Sequence, residues 1–245
     1  MSCLAILALP VVLSTPGVYC LTSNLSTSES AITIAADHVT VDLQGHALEG
    51  TAGPSSTATG VYSSGYRGVT VKNGTISGFL YATRLMGGNG AAIKNVLFLG
   101  NWYIGAWAEG VGAEVSDSRV VNTGGSTLPG YTIPLGVKIS GAGLTAVRNV
   151  VIGMIGGTEV VGIAVDDAPG GVVQGNSLSL SAYRADSYGL WVNGVNTRLL
   201  VKENSFANWA VGIQFSGAQG KSVGNEFQGL GANYVGGCER GILCR

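Results

Sequence analysis

The sequence predicts an all-β fold made of short stacked coils, a solenoid, and three observations support this prediction. Gly accounts for 40 of the 245 residues, and Val, Ile, Thr, Ser and Asn are abundant, as in tightly turned β structure. Apolar and polar residues alternate over short runs such as 39–43. A strand of the form Gly-apolar-x-apolar recurs, as in 189–192 and 212–215, and such a return indicates one coil per repeat.

Residues 1–30 do not carry this repeat. Short strands are expected at 10–13 and 17–21, with a turn between them. An open β stack must cover its first edge, so we expect this segment to be an N-terminal cap. No linker interrupts residues 31–245, which we expect to form one repeat array and, with the cap, one domain.

A polar residue follows the first strand of each later coil. Asn and Asp tolerate a left-handed backbone, and their side chains can bond the coil above or below. We therefore expect these residues to form one ladder that lines one sharp turn. The series is Asn73, Asn95, Asp117, Asn149, Asn176, Asn204 and Asn225.

The runs 39–48 and 69–76, together with the Gly-apolar-x-apolar strands, resemble the parallel β-helix proteins of the pectate-lyase-like superfamily. The resemblance covers about residues 31–245 and implies a right-handed parallel β-helix of about eight coils. It implies no single activity, because the superfamily includes lyases, hydrolases, epimerases, phage tailspikes and non-catalytic modules. It also implies that an active cleft would lie on the outer face of the Gly-apolar-x-apolar strand.

In this strand the two apolar positions should point inward and the residues between them outward, so stacked coils create two outer rows with steps of about 4.8 Å. The first row contains Tyr62, Arg84, Trp107, Lys138, Ala164, Trp191 and Gln214, and the second contains Ser64, Met86, Glu109, Ser140, Asp166, Asn193 and Ser216. Aromatic faces beside polar groups suit sugar rings, so we expect a polysaccharide to contact Tyr62, Trp107, Trp191, Asn193 and Gln214. The alternative, that the aromatic residues pack loops onto the sheet, stays open.

Two kinds of catalysis fit these rows. A uronic-acid lyase needs a cation on the substrate carboxylate and a base for the α-proton; Arg84 and Lys138 are the candidate cationic groups, and Tyr62 is next in line. An inverting glycoside hydrolase needs two carboxyl groups about 6.5–9.5 Å apart, and Glu109 and Asp166 are near that limit. The same two carboxylates do not converge on one point, so no calcium site is expected. Exposed cations that only discourage aggregation are an equally open alternative for Arg84 and Lys138.

Charge and cysteine usage narrow the functional classes. The 13 basic and 14 acidic residues nearly cancel and form no runs, so neither nucleic acid nor a membrane is expected as a partner. No motif indicates a metal or another cofactor.

The four cysteines lie at the two ends of the chain. Cys3 with Cys20, and Cys238 with Cys244, are expected to form local disulfides in an oxidising compartment, the alternative being four buried thiols.

These observations lead to two functional hypotheses. The first is an extracellular or cell-envelope protein that binds or cleaves a polysaccharide, with a lyase preferred over a hydrolase if it is an enzyme. The second is a non-catalytic structural or adhesive β-helix in a larger assembly. The sequence leaves the glycan, the enzymatic status and the oligomeric state open.

Overall fold

The computed structural model describes residues 3–195, 198–216 and 220–236, and within these ranges every regular element is a β-strand. In chain order the strands are β1 (Leu4–Ile6), β2 (Val11–Leu13), β3 (Gly17–Leu21), β4 (Leu25–Thr27), β5 (Ile32–Ile34), β6 (Val39–Asp42), β7 (Ala47–Gly50), β8 (Thr59–Ser64), β9 (Thr70–Ser77), β10 (Tyr81–Met86), β11 (Ala92–Leu99), β12 (Ile104–Glu109), β13 (Glu114–Ser116), β14 (Arg119–Val121), β15 (Leu135–Ser140), β16 (Thr145–Val147), β17 (Val150–Ile152), β18 (Val160–Asp166), β19 (Val172–Gln174), β20 (Ser177–Asn193), β21 (Leu199–Lys202), β22 (Ser205–Ser216), β23 (Gly220–Val223), β24 (Glu226–Gln228) and β25 (Ala232–Val235).

The strands form three parallel sheets that run along the stack. Sheet A contains β2, β5, β8, β10, β12, β15, β18, the C-terminal parts of β20 and β22, and β25. Sheet B contains β1, β3, β6, the N-terminal parts of β9 and β11, β13, β16, β19, β21 and β23. Sheet C contains β4, β7, the C-terminal parts of β9 and β11, β14, β17, the N-terminal parts of β20 and β22, and β24. Because the chain visits A, B and C in turn, the fold is a parallel β-helix, which confirms the predicted class.

The segment predicted to be a cap is itself part of this stack. β2, β3 and β4 pair with β5, β6 and β7, so the described residues before position 30 supply strands to all three sheets. The capping role and the boundary at residue 31 stay predictions. Cys3 and Cys20 form the expected disulfide, which ties the start of the chain to β3. Cys238 and Cys244 lie outside the described residues.

The glycine of the recurring motif lies where sheet A packs against sheet C. A Cβ atom on Gly136 would lie 2.5 Å from the carbonyl oxygen of Gly162 and 2.8 Å from Cγ1 of Val151. A Cβ atom on Gly189 would lie 2.4 Å from Cδ1 of Phe206. The motif therefore begins with glycine because at this position of the strand only a hydrogen atom, and no side chain, fits between sheets A and C.

The series of polar residues divides into two sets, so the prediction of a single ladder is wrong. Asn73, Asn95 and Asp117 have φ angles of 60°, 53° and 53°, and their side chains lie at the surface of the corner between sheets B and C. On the next coil Val147 pairs with Ser116, so Arg148 is the residue equivalent to Asp117. Arg148, with a φ of 53°, therefore takes the left-handed position there. In the later coils the Asn residue comes one position afterwards and points inward.

The inward set forms a hydrogen-bonded ladder that includes Asn149, Asn176, Asn204 and Asn225. Nδ2 of Asn176 donates to Oδ1 of Asn204 at 2.8 Å and to the carbonyl oxygen of Ala146 at 2.9 Å. Oδ1 of Asn176 accepts from both Nδ2 and the backbone N–H of Asn149, at 3.0 and 2.9 Å. The ladder thus satisfies buried backbone groups at the corner, where the sheet hydrogen bonds are interrupted.

The loops that lead from sheet C to sheet A lie beside the edge of sheet A where its strands begin. Thr127 N–H donates to the Pro54 carbonyl oxygen at 3.0 Å, and Thr158 N–H donates to the Thr132 carbonyl oxygen at 2.8 Å. Nη2 of Arg184 donates to a backbone oxygen of the preceding loop at 2.7 Å. Loops of different coils are therefore bonded to one another along the edge of sheet A where its strands begin, and we call this row of loops the loop wall.

Candidate functional site on the outer face of sheet A

Strand register brings all the predicted site residues onto one surface, the outer face of sheet A. The first row is set by the pairs Tyr62 with Arg84, Trp107 with Lys138, Lys138 with Ala164, Ala164 with Trp191, and Trp191 with Gln214. The second row is set by Glu109 with Ser140, Ser140 with Asp166, Asp166 with Asn193, and Asn193 with Ser216. We call the sheet A strands β8, β10, β12 and β15 the N-terminal half of this face, and β18 with the C-terminal parts of β20 and β22 its C-terminal half.

Trp107, in the N-terminal half, is held between two cations. Cζ of Arg84 lies 4.9 Å from the Trp107 ring centroid, and Nζ of Lys138 lies 4.5 Å from it, from the strands on either side. The indole N–H donates to Oε1 of Glu109 at 2.7 Å. Two cations thus contact the ring from the strands on either side, which leaves less of the half-exposed ring for the predicted sugar-binding role of Trp107.

Arg84 lies in an aromatic environment. Its Cζ is also 4.9 Å from the ring centroid of Tyr81 and 5.9 Å from that of Tyr62, and its Nε contacts Sδ of Met86 at 3.2 Å. Among the described residues, no carboxylate forms an ion pair with it. The guanidinium is therefore stabilised mainly by ring faces.

Three tyrosines beside Trp107 pack the long loop 122–134 against the sheet. Ring centroids are 5.7 Å apart for Tyr81 and Tyr103, 6.3 Å for Tyr81 and Tyr131, and 4.9 Å for Tyr103 and Tyr131. Burial, with a smaller effect of a hydrogen bond to Tyr131, raises the pKa of Tyr81 to about 12. Burial also raises the pKa of Tyr103. Both phenols are therefore protonated at neutral pH, and here aromatic residues do pack a loop onto the sheet.

The two candidate carboxylates are engaged by neighbours and stand apart. Asp166 Oδ2 lies 3.8 Å from Nζ of Lys138, and its Oδ1 accepts from Nδ2 of Asn193 at 3.2 Å. Glu109 accepts the indole N–H of Trp107. The strand of Ser140 separates the two, so their backbones are roughly 10 Å apart. In the described ranges no three His, Cys, Asp or Glu side chains gather in a way that could hold a metal ion.

Trp191, in the C-terminal half, has different neighbours. Its indole N–H donates to Oγ of Ser216 at 2.9 Å, and its ring centroid lies 5.2 Å from that of Tyr188. Ala164, the preceding residue of the row, offers only a methyl group, yet it is 6% exposed. Among the described residues no cation lies over the Trp191 ring, and the side chain is partly exposed.

Sequence reasoning missed a third outward row, which lies just before the motif glycine and includes Tyr81 and Tyr188. The inward-pointing glycine interrupts the simple alternation, so the residue before it returns to the outer face. An aromatic residue directly before Gly189, as in Tyr188-Gly189, is the signal that could have revealed this row. It places a second ring beside Trp191.

The described part of the chain has no helix long and apolar enough to cross a bilayer.

Comparisons with solved structures give distant similarities, of which two are described below. No protein-family model matches the chain, and no curated protein matches it. The A-module of the mannuronan C-5 epimerase AlgE4 of Azotobacter vinelandii is similar with a TM-score of 0.29 and 9% identity, over 91% of this chain and 90% of that one. PfbA, a surface adhesin of Streptococcus pneumoniae, is similar with a TM-score of 0.24 and 13% identity, over 89% of this chain and 84% of that one. The assignment to the parallel β-helix fold rests on the strand pairing described above.

Proposed function

We propose that this chain is an extracellular polysaccharide-binding β-helix protein whose ligand lies along the outer face of sheet A and stacks on Trp191. The observation that carries the proposal is the setting of Trp191: a partly exposed indole, beside a second ring and next to a methyl-sized neighbour. Sugar rings stack their C–H faces on such surfaces. Hydroxyl groups would bond to the polar side chains of the second row, among them Asn193 and Ser216.

The loops beside sheet A support an elongated ligand. Their mutual hydrogen bonds create a wall along the side of the face where the strands begin, so the ligand would lie in a groove parallel to the helix axis. A chain of sugars can use such a groove over several coils, whereas a small molecule would leave most of it empty. The disulfide between Cys3 and Cys20 supports an oxidising, extracellular location.

Binding without cleavage is the form of the proposal that the contacts favour. A lyase needs cations available to the substrate carboxylate, but Lys138 is occupied by Asp166 and by the Trp107 ring. A hydrolase needs two carboxyl groups facing one bond, and both Glu109 and Asp166 are engaged in other contacts. The lyase hypothesis stays a prediction, with Arg84 as its strongest remaining residue.

A non-catalytic structural or adhesive role is the second candidate, and one observation favours it. In the N-terminal half, Tyr81, Tyr103 and Tyr131 serve to hold loop 122–134 on the sheet. If the C-terminal half did the same for another element, the face would carry no ligand at all.

The decisive experiment is a titration of the full chain with a panel of soluble polysaccharides, followed by tryptophan fluorescence. We expect a saturable change with at least one glycan, weakened at least tenfold in Trp191→Ala. Leu99→Ala, an exposed apolar side chain on sheet C, is the matched control and should bind like the parent protein. The same mixtures are tested for unsaturated products in the near ultraviolet and for new reducing ends, which we expect to be absent. No binding by any glycan would contradict the proposal and favour the structural role, while product formation would restore an enzymatic one.

A further inference from the structure

The two halves of the outer face differ in charge, and this difference bears on the chemistry of the ligand. The cations of the first row, Arg84 and Lys138, both lie in the N-terminal half. The first row of the C-terminal half consists of Ala164, Trp191 and Gln214, which carry no charge. The kind of sugar that suits Trp191 can be inferred from this difference, an inference that rests on the proposed function.

Asp166 is the ionisable side chain of the second row nearest to Trp191. It lies on the adjacent strand, in register with Asn193, to which it is hydrogen-bonded. Its ion-pair partner is Lys138, at 3.8 Å, on the side away from Trp191. The carboxylate therefore already neutralises the nearest cation of the row.

Other basic residues of these coils have different positions. Arg184 donates to the Gly157 carbonyl oxygen at 2.7 Å, within the loop wall. Arg198 is an exposed residue of the turn between β20 and β21, and Lys202 ends β21 in sheet B. Within the described residues, no basic residue of these coils belongs to either outer row, and no cation lies over the Trp191 ring.

The side chains around Trp191 match hydroxyl groups. Amides and hydroxyls such as those of Asn193, Gln214 and Ser216 can both donate and accept, and a sugar hydroxyl can do the same. The carboxylate of Asp166 is a strong acceptor for a hydroxyl donor. A carboxylate on the sugar would instead lie near Asp166 and find no free cation to pair with, because the nearest one, Lys138, is already paired with Asp166.

We propose that the glycan bound on the C-terminal half is an uncharged polysaccharide, with Trp191 as the stacking surface and Asp166 as the residue that discriminates against uronic acids. Arg84 and Lys138 then serve chiefly to hold Trp107 in place rather than to bind a substrate carboxylate. Acidic sugars are then disfavoured because no cation is free to pair with them, and amino sugars because the Asp166 carboxylate is already paired with Lys138.

The test compares three classes of soluble polysaccharide on the full chain: neutral galactomannan and β-glucan, acidic polygalacturonate and alginate, and cationic chitosan. Binding is measured by calorimetry at low and at moderate salt. We expect a neutral glycan to bind most tightly, with affinity nearly independent of salt, since no ion pair is formed. Trp191→Ala should weaken this binding at least tenfold, and Leu99→Ala should not change it.

Asp166→Asn keeps the shape of the side chain and removes its charge, which makes it the sharpest variant. We expect it to bind the neutral glycan a few-fold more weakly and acidic polysaccharides several-fold more tightly than the parent protein does. Thermal unfolding of each variant shows whether the fold is intact. Tighter binding of an acidic glycan by the parent protein, lost in Trp191→Ala, would overturn this inference and leave the proposed function standing. A preference for chitosan would also overturn it. Failure of every glycan to bind would instead remove the proposed function itself.

Discussion

The N-terminal and C-terminal coils of this β-helix solve the same packing problems with different side chains. On the outer face, Trp107 is clamped between two cations, whereas Trp191 lies next to an alanine. At the corner between sheets B and C, Asn95 is exposed in a left-handed conformation, whereas Asn176 is buried in a ladder. The same residue type thus has different roles in different coils, because a shift of one residue along the strand moves a side chain from the surface to the interior.

The corner offers the largest expected difference between the two halves. Replacing Asn176 with Ala leaves the backbone N–H of Asn149 and the Ala146 carbonyl oxygen without partners in a buried place. Each unsatisfied buried group costs about 1–3 kcal/mol, so we expect a loss of roughly 3 kcal/mol or more in unfolding free energy. Urea denaturation measures it.

The matched variant at the other corner is Asn95→Gly. Glycine suits the φ of 53°, so the change removes only the exposed bond from Nδ2 of Asn95 to Oδ1 of Asn73, at 3.1 Å. We expect a change within about 0.5 kcal/mol. Equal effects of the two variants would show that the two sets of asparagines are alike after all.

The two tryptophans should separate stability from binding. Trp107→Ala removes a ring that contacts Arg84, Lys138 and Tyr81, so we expect a loss of roughly 2 kcal/mol in unfolding free energy, less than for a fully buried ring. Trp191→Ala should cost less stability, but it should remove on the order of 2 kcal/mol of glycan-binding free energy. Urea denaturation and calorimetric titration of both variants check this crossed pattern. If Trp107→Ala impaired binding and Trp191→Ala did not, the assignment of the halves would be reversed.

Alkaline titration tests whether the N-terminal half is closed under its loop. Because the pKa of Tyr81 is raised to about 12 in the folded protein from an ordinary value of 10.0, its phenol should ionise well above pH 10. The folded state then holds the proton more tightly than the unfolded state, so this contribution to stability is complete below pH 10 and is lost as the pH rises towards 12. Ultraviolet absorbance of phenolate follows the ionisation. Tyr131→Phe removes the hydrogen bond and should lower the pKa of Tyr81, and an unchanged titration would contradict the described packing.

The smallest effect is expected at the exposed ion pair that joins the two parts of the corner. Nε and Nη2 of Arg148 donate to the two carboxylate oxygens of Asp117, at 2.6 and 2.7 Å, and hold the pKa of that carboxyl below its ordinary value. The contribution of this ion pair to stability is therefore present above the pKa of Asp117 in the unfolded state. It is lost as the pH falls through the lowered pKa of Asp117 in the folded state. Asp117→Asn keeps a residue that tolerates the left-handed backbone. We expect it to be nearly as stable as the parent protein at pH 7, and less so only at low salt, because exposed pairs are screened. A large loss at high salt would mean that the pair does more than its exposure indicates.

The sequence by itself determined the fold class and the membership of the two outer rows. Alternation with a period of two decides which side chains face out, and parallel stacking at one strand spacing decides which of them are neighbours, so Tyr62 to Gln214 could be aligned from the motif alone. The disulfide between Cys3 and Cys20 could also be predicted from the sequence, because the two cysteines are close in the chain.

Only the tertiary structure decided what each residue in those rows does. Whether an indole is free or clamped depends on the residues one coil before and after it, which are far away in the chain: Lys138 for Trp107, and Ala164 for Trp191. Whether an asparagine is buried depends on where the left-handed residue of its corner lies, since the αL position can be taken by Asn95 itself or by Arg148 just before Asn149. Both properties depend on contacts between coils. Because the loops vary in length, these contacts cannot be predicted by counting residues along the chain.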